Sequence, residues 1–209
     1  MLEIVTPPAA ECLTAVELRE WLRIDSPAED ALLDSIAIVA RQKAEAFTGR
    51  FFITQTQRRW LDGWPRDRSR ESWFDGVQEA PISNLDAGFK REIDLLTAPL
   101  VSVSSIKFYG TDNSESTMSS DDYYADVTSA PARVALAWGK NWPSAVLRPV
   151  KSVAVQYVVG YGDAGSSVPT SIVHAMKEIA LRLYDNRGGD CDIPAVAKNL
   201  LDPHVLKRL

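Results

Sequence analysis

Apolar positions along the chain change their spacing twice, and the changes mark three stretches. From Ser26 to Arg50, Leu33, Ile36, Ala37, Ala40, Ala44 and Phe47 recur at helical spacing, while Asp30, Asp34, Arg41, Lys43 and Glu45 fall on the other side. Ser26, Pro27 and Glu29 predict a capping box with acidic residues on the positive end of the helix dipole, and Gly49 predicts the stop. A shorter helix comes first. Thr14 and Glu17 carry a second capping-box signature, Val16, Leu18, Trp21 and Leu22 give the apolar side, and Asp25-Ser26-Pro27 breaks the run. Beyond Gly49 the period drops to two. FFITQTQRRWLDGW, the two segments of REIDLLTAPLVSVSSIKFYG on either side of Ala98-Pro99, YYADVTSAPARVALAWG and KSVAVQYVVGYG all predict strands, forming an antiparallel β module over about 51–162. TDNSESTMSSDD reads as a turn or loop, and residues 75–90 carry no assignable pattern. Helical spacing returns after Pro169 through Ile172, Ala175, Met176, Ile179, Ala180 and Leu183, with Glu178 and Arg182 facing outward as an i,i+4 pair. The final IPAVAKNLLDPHVLKRL predicts a short helix broken at Asp202-Pro203 and a basic tail.

That order predicts an α+β protein whose N- and C-terminal helices pack together, with the antiparallel β module inserted between them. The expected division is a helical domain of residues 1–50 and 165–209 and a β module of residues 51–164. At 209 residues, 45% apolar and 24% charged, the chain has the length and composition of a globular protein with a sizeable core. A net charge of −5 supplies no global field for nucleic acid. Two cysteines at opposite ends, Cys12 and Cys191, do not make a disulfide framework and fit a reducing compartment. No apolar window of roughly 18 residues predicts a membrane span, and MLEIVTPPAAECL lacks the pattern of a secretion signal.

Candidate chemistry adds little. Gly160-Tyr-Gly162-Asp-Ala-Gly165 matches G-x-G-x-x-G between a predicted strand and a predicted helix, but the helix starts too late for a pyrophosphate to meet its N-terminus. A glycine-rich turn is the better reading. The two early helices resemble a helix–turn–helix, yet the second is too long and too acidic at its start to read DNA. His174 and His204 have no ligand at zinc spacing. Asp121-Asp122, Asp190 and Asp192 leave a metal-dependent hydrolase as a distant alternative, although such residues in Ser/Asp/Asn-rich stretches suit solvated turns. RDRSRES reads as a solvated loop. Trp60, Trp64, Trp73, Trp138 and Trp142 gather in or near the β module, as core or as an exposed contact surface. No catalytic residue, cofactor site or metal site is predicted.

The order of the motifs is more informative. LTAVELREWLRID, EDALLDSIAIVARQKAEAFTGR, Gln55-Thr56 just after it, the Pro99-Leu-Val-Ser102-Val103 segment, and VQYVVGYGDAGSSVPTSIVHAMKEIALRLYDNR together resemble the head–tail connector (adaptor) proteins of long-tailed bacteriophages and gene transfer agents. The resemblance covers nearly the whole chain, least so at residues 63–92 and after Gly189. It implies a structural virion protein that forms a ring, typically of twelve copies, under the portal. Such a ring extends the DNA channel without sequence-specific DNA binding and supports stopper or tail-terminator attachment. The implied location is the virion neck, with the host cytoplasm as the site of assembly and no membrane partner. Another ring-forming neck protein, a stopper or tail terminator, is the alternative within the same class. On this reading Asp30, Asp34, Arg41, Lys43, Glu45 and Arg182 are expected at the subunit interface, and Lys198, Leu201, His204, Leu206, Lys207 and Arg208 at the portal, in a tail that orders on binding.

Overall fold

The computed structural model describes residues 1–65, 73–74, 77–78, 90–186 and 192–207. The RDRSRES run, most of residues 75–89, the side chain of Trp73, Arg187 through Cys191, and Arg208 lie outside the described residues. The chain opens on a strand that the hydrophobic pattern does not predict, β1 (Leu2–Thr6). Helix α1 (Ala15–Leu22) follows and starts as its sequence dictates: the Thr14 hydroxyl accepts from the Glu17 N–H at 3.3 Å, and the Glu17 carboxylate accepts from the Thr14 N–H at 2.8 Å. The second predicted box does not form. Ser26 accepts from the Ala28 N–H at 3.2 Å and caps one 3-10 turn, Pro27–Glu29. Glu29 instead accepts from the Tyr184 hydroxyl at 2.7 Å, so a tertiary contact holds the carboxylate that the box would need. Helix α2 (Asp30–Thr48) then runs to Gly49, which takes φ 70° and donates its N–H to Glu45.

The strands that follow are β2 (Gln55–Leu61), the short β3 (Trp73–Phe74) and β4 (Val77–Gln78), β5 (Glu92–Asp94) and β6 (Leu100–Tyr109). They continue with β7 (Glu115–Thr117), β8 (Tyr123–Asp126), β9 (Arg133–Leu136) and β10 (Val153–Val159). β7 lies in the stretch expected to be a turn or loop. Helices α3 (Thr170–Asp185) and α4 (Ala195–Leu201) and a last 3-10 turn, Asp202–His204, complete the chain. A five-stranded sheet has the order β1-β2-β10-β6-β7 and a three-stranded sheet the order β5-β9-β8, every neighbouring pair being antiparallel. β1 carries the N-terminal residues into the larger sheet, ahead of the helices.

Two hydrophobic cores result. In one, Leu33, Ala37, Ala40 and Ala44 of α2 meet Ile172, Ala175, Met176 and Ile179 of α3, closed by Leu18 of α1 and by Ala197 and Leu201 of α4. The N- and C-terminal helices therefore pack on each other, as the order of elements predicts. In the other, Val153, Val155, Tyr157 and Val159 of β10 with Leu100 and Ile106 of β6 face Ile93, Val134 and Leu136 of the smaller sheet. Trp64 and Trp142 stack there with ring centroids 4.8 Å apart, each donating its indole N–H to a backbone carbonyl. Among the described residues, the opposite face of the five-stranded sheet has no such cover.

Candidate functional site

The charged side of α2 divides into a buried and an open part. Arg41 and Glu45 are only 7% and 8% exposed. The Arg41 guanidinium donates to Glu11 at 2.6 and 3.2 Å and to Glu45 at 2.8 Å, while the other Glu45 oxygen accepts from the Phe52 N–H at 3.0 Å. Both side chains, expected at a subunit interface, are taken up within their own subunit. Helical spacing puts both on the polar side of α2, but the segment around Glu11 and the start of the β module fold over that side. Burial raises the Glu45 carboxyl above its usual value despite the Phe52 and Arg41 donors. Burial also drives the adjacent Cys12 thiol up to about 12, with Glu45 adding to the effect, so this cysteine has little thiolate at neutral pH.

Asp34 and Arg182 are exposed and Lys43 is half-buried, while Asp30 is paired with Arg19 at 2.9 Å. Glu178 lies 3.9 Å from His174, whose ring meets Trp21 edge-on at 5.1 Å; that histidine is a helix-surface residue. Around α1 and the start of α2 the chain carries Glu17, Glu20, Asp25, Glu29, Asp30 and Asp34 against Arg19 and Arg23. Of these, Glu17, Glu20, Asp25 and Asp34 are exposed, as is Arg23, and exposed Val16 and Ile38 lie one helical turn from Glu20 and Asp34.

The tail, expected to order on the portal, packs on its own subunit. Leu201 is fully buried in the helical core, and Leu206 packs over Gly49 while its N–H donates to the Thr48 carbonyl at 2.7 Å. Arg50 donates to the His204 carbonyl at 2.6 Å, and the His204 ring lies 2.8 Å from the Ser171 hydroxyl. Burial, with Arg50 nearby, lowers the His204 pKa. Leu201 and Leu206 thus serve their own subunit, and His204 is half-buried within it. Lys198 and Lys207 remain exposed.

The open sheet face gathers a cluster of which the sequence signals only Trp60. Strand register sets Trp60 beside Ala154 and Ala154 beside Lys107, so residues distant in sequence share one face. Trp60 donates its indole N–H to Glu3 at 2.6 Å, and its ring lies 5.8 Å from that of Tyr109. The Arg148 guanidinium covers Tyr109 at 4.2 Å, and Arg58 and Lys151 approach Trp60 at 5.6 and 5.9 Å. Trp138 stands 96% exposed on a separate turn.

The glycine motif is a packing device. Gly160 takes φ 135°, and a Cβ there would strike the Ile53–Thr54 backbone; one at Gly165 would strike the Cys12 carbonyl. Helix α3 begins only at Thr170, as the spacing predicts. Among the described residues, no group of three His, Cys, Asp or Glu is placed to hold a metal ion, and no helix is long and apolar enough to cross a membrane.

No family model matches the chain, and no curated protein is significantly similar to it. Solved structures are. A chain in the neck of an empty gene transfer agent particle, computed with C6 symmetry, superposes with a TM-score of 0.77 at 21% identity, covering 100% of this chain and 97% of that one. The fold is one found in gene transfer agent particles. A chain in the virion of a native gene transfer agent particle gives 0.76 at 21% identity, and one in a native neck computed with C12 symmetry gives 0.75 at 20%, each with the same coverage of 100% and 97%. At these identities the likeness is one of fold, and it spans both the helices and the sheets.

Proposed function

We propose that this protein is a structural component of the virion neck, the head–tail connector (adaptor) that forms a ring beneath the portal. The observation that supports the reading is the whole-chain correspondence with a chain of a gene transfer agent neck, 100% of this chain against 97% of that one. A neighbour that comes from a neck computed with C12 symmetry suits a ring of twelve copies. The ring extends the DNA channel and supports the stopper or tail terminator, and subunits join it in the host cytoplasm before residing in the virion. Asp34, Arg182 and, more weakly, Asp30 and Lys43 remain as lateral contacts, while Lys198 and Lys207 remain as groups facing the portal.

Particles made without this protein test the reading. DNA-filled heads lacking tails are expected to accumulate, and added purified protein is expected to restore tail joining. Cross-linking from Lys198 or Lys207 to the portal distinguishes the adaptor from a stopper or tail terminator, which would link to other neck components. Normal tailed particles in the absence of the protein would refute a neck role.

A further inference from the structure

Two surfaces of opposite sign stand open at different places in the fold. On the sheet face, Lys151 adopts φ 51°, a conformation unfavourable for any side chain but glycine. It is fixed by the Asp62 carboxylate, which accepts from its N–H at 2.9 Å, and by Arg148, which donates twice to its carbonyl at 3.0 and 2.6 Å. The same Arg148 lies over Tyr109, and a third donor group reaches Asn113 at 3.3 Å. The Arg148 guanidinium and the Lys151 backbone are therefore set in place before any partner arrives, and among the described residues neither side chain forms an ion pair with a carboxylate. Exposed Val146 and Val150 lie on the same loop. Arg58, Lys107, Arg148 and Lys151 outnumber the neighbouring Glu3, Asp62 and Glu115, in a chain whose net charge is −5.

The α1–α2 corner has the complementary make-up: four exposed carboxylates, Glu17, Glu20, Asp25 and Asp34, against one exposed cation, Arg23, with exposed Val16 and Ile38 among them. The chain leaves the helical core at Phe52 and Ile53 and runs through β2 to Trp60 near its far end, roughly 20 Å away at 3.3 Å per residue. The two patches thus do not overlap. A cyclic ring joins two different patches on each copy, whereas one self-complementary patch closes a dimer.

We propose that the basic cluster around Arg148 and Lys151 of one copy receives the acidic α1–α2 corner, Glu20 with Asp34, of the next. The occupant is a second copy of this chain, and the inference rests on the ring reading above. Charge complementarity sets the direction of the contact, and the valines and Ile38 supply its apolar part.

Charge swapping on the full-length protein tests it. Lys151→Glu leaves the backbone bonds to Asp62 and Arg148 in place, and Glu20→Lys with Asp34→Lys alters only exposed positions; circular dichroism and thermal melting check that both variants fold. In sedimentation velocity, each variant is expected to self-associate about tenfold more weakly than the unaltered protein. A mixture of the two variants is expected to recover association through the one contact that is again complementary. Self-association that neither reversal changes overturns this contact and leaves the ring reading standing. Weakening in both variants without recovery in the mixture overturns the pairing of these two patches. An unaltered protein that stays monomeric at its highest attainable concentration, and that is also absent from particle necks, overturns both.

Discussion

The Arg41 guanidinium uses its donors inside the subunit, on Glu11 and Glu45, and that arrangement joins three distant pieces of chain. Glu11 precedes α1, Arg41 and Glu45 lie on α2, and Glu45 also accepts from Phe52 at the start of the β module. Burial disfavours the Arg41 charge, but the bond to Glu11 and the field of Glu45 outweigh it. Removing one partner of such a buried set leaves carboxylates without their counter-charge, so Arg41→Ala should cost about 3 kcal/mol of stability at pH 7. The cost should shrink on acidification, and the sign follows from Glu45. Its folded carboxyl already sits above the ordinary 4.5, and loss of Arg41 would raise it further. The folded state then holds the proton more tightly than the unfolded one, so the penalty present at neutral pH relaxes as pH falls through the raised value. Denaturant midpoints at pH 7 and pH 5 check this; an equal loss at both would show that Glu45 is not the group left stranded. The position also shows a limit of periodicity. Spacing along α2 separates its polar side from its apolar stripe, but says nothing of which distant segment will cover the polar side.

Among the elements, the C-terminal segment changes role most. Its apolar positions suggest a tail that orders only on a partner, yet Leu201 is buried among α2, α3 and α4, and the Leu206 backbone is bonded to Thr48. Deleting residues 190–209 is therefore expected to unfold the helical half rather than leave a folded subunit with impaired attachment. The milder Leu201→Ala should cost about 3 kcal/mol through the cavity it opens, read as a lowered denaturant midpoint with an unchanged slope. A loss below about 1 kcal/mol would mean that the tail is only loosely held. β1 escapes sequence reading for a related reason: LEIVT is a short run ahead of Pro7-Pro8, and its fifty-residue separation from β2 leaves no hairpin signal. The longer elements, α2, α3, β6 and β10, are legible because each repeats its period several times.

At the scale of the whole molecule, the order helices, sheets, helices is enough to anticipate the α+β architecture, because chain ends that both carry an apolar helical stripe need each other to bury it. The charge distribution is a different matter. The composition gives −5, while the fold sorts that charge into an acidic corner at α1–α2 and a basic cluster on the open sheet face, a separation created by strand register. It bears on the proposed channel role. Binding to duplex DNA gains from each phosphate that a cation neutralises, and six to ten such contacts make it strongly salt-dependent. Here Arg58, Lys107, Arg148 and Lys151 are the concentrated cations, and Arg58 and Lys107 already face Glu3 and Glu115 at 3.8 and 2.6 Å. Among the described residues of this cluster, Arg148 and Lys151 are left to meet phosphate, too few for tight binding in an acidic chain. Duplex DNA should therefore bind this protein no more tightly than about 10⁻⁴ M at physiological salt, the weak end of non-specific affinity. Fluorescence anisotropy over a salt series would measure it. A micromolar affinity that falls steeply with salt would contradict a wall past which DNA slides, and would place the basic cluster against the duplex instead of a neighbouring subunit.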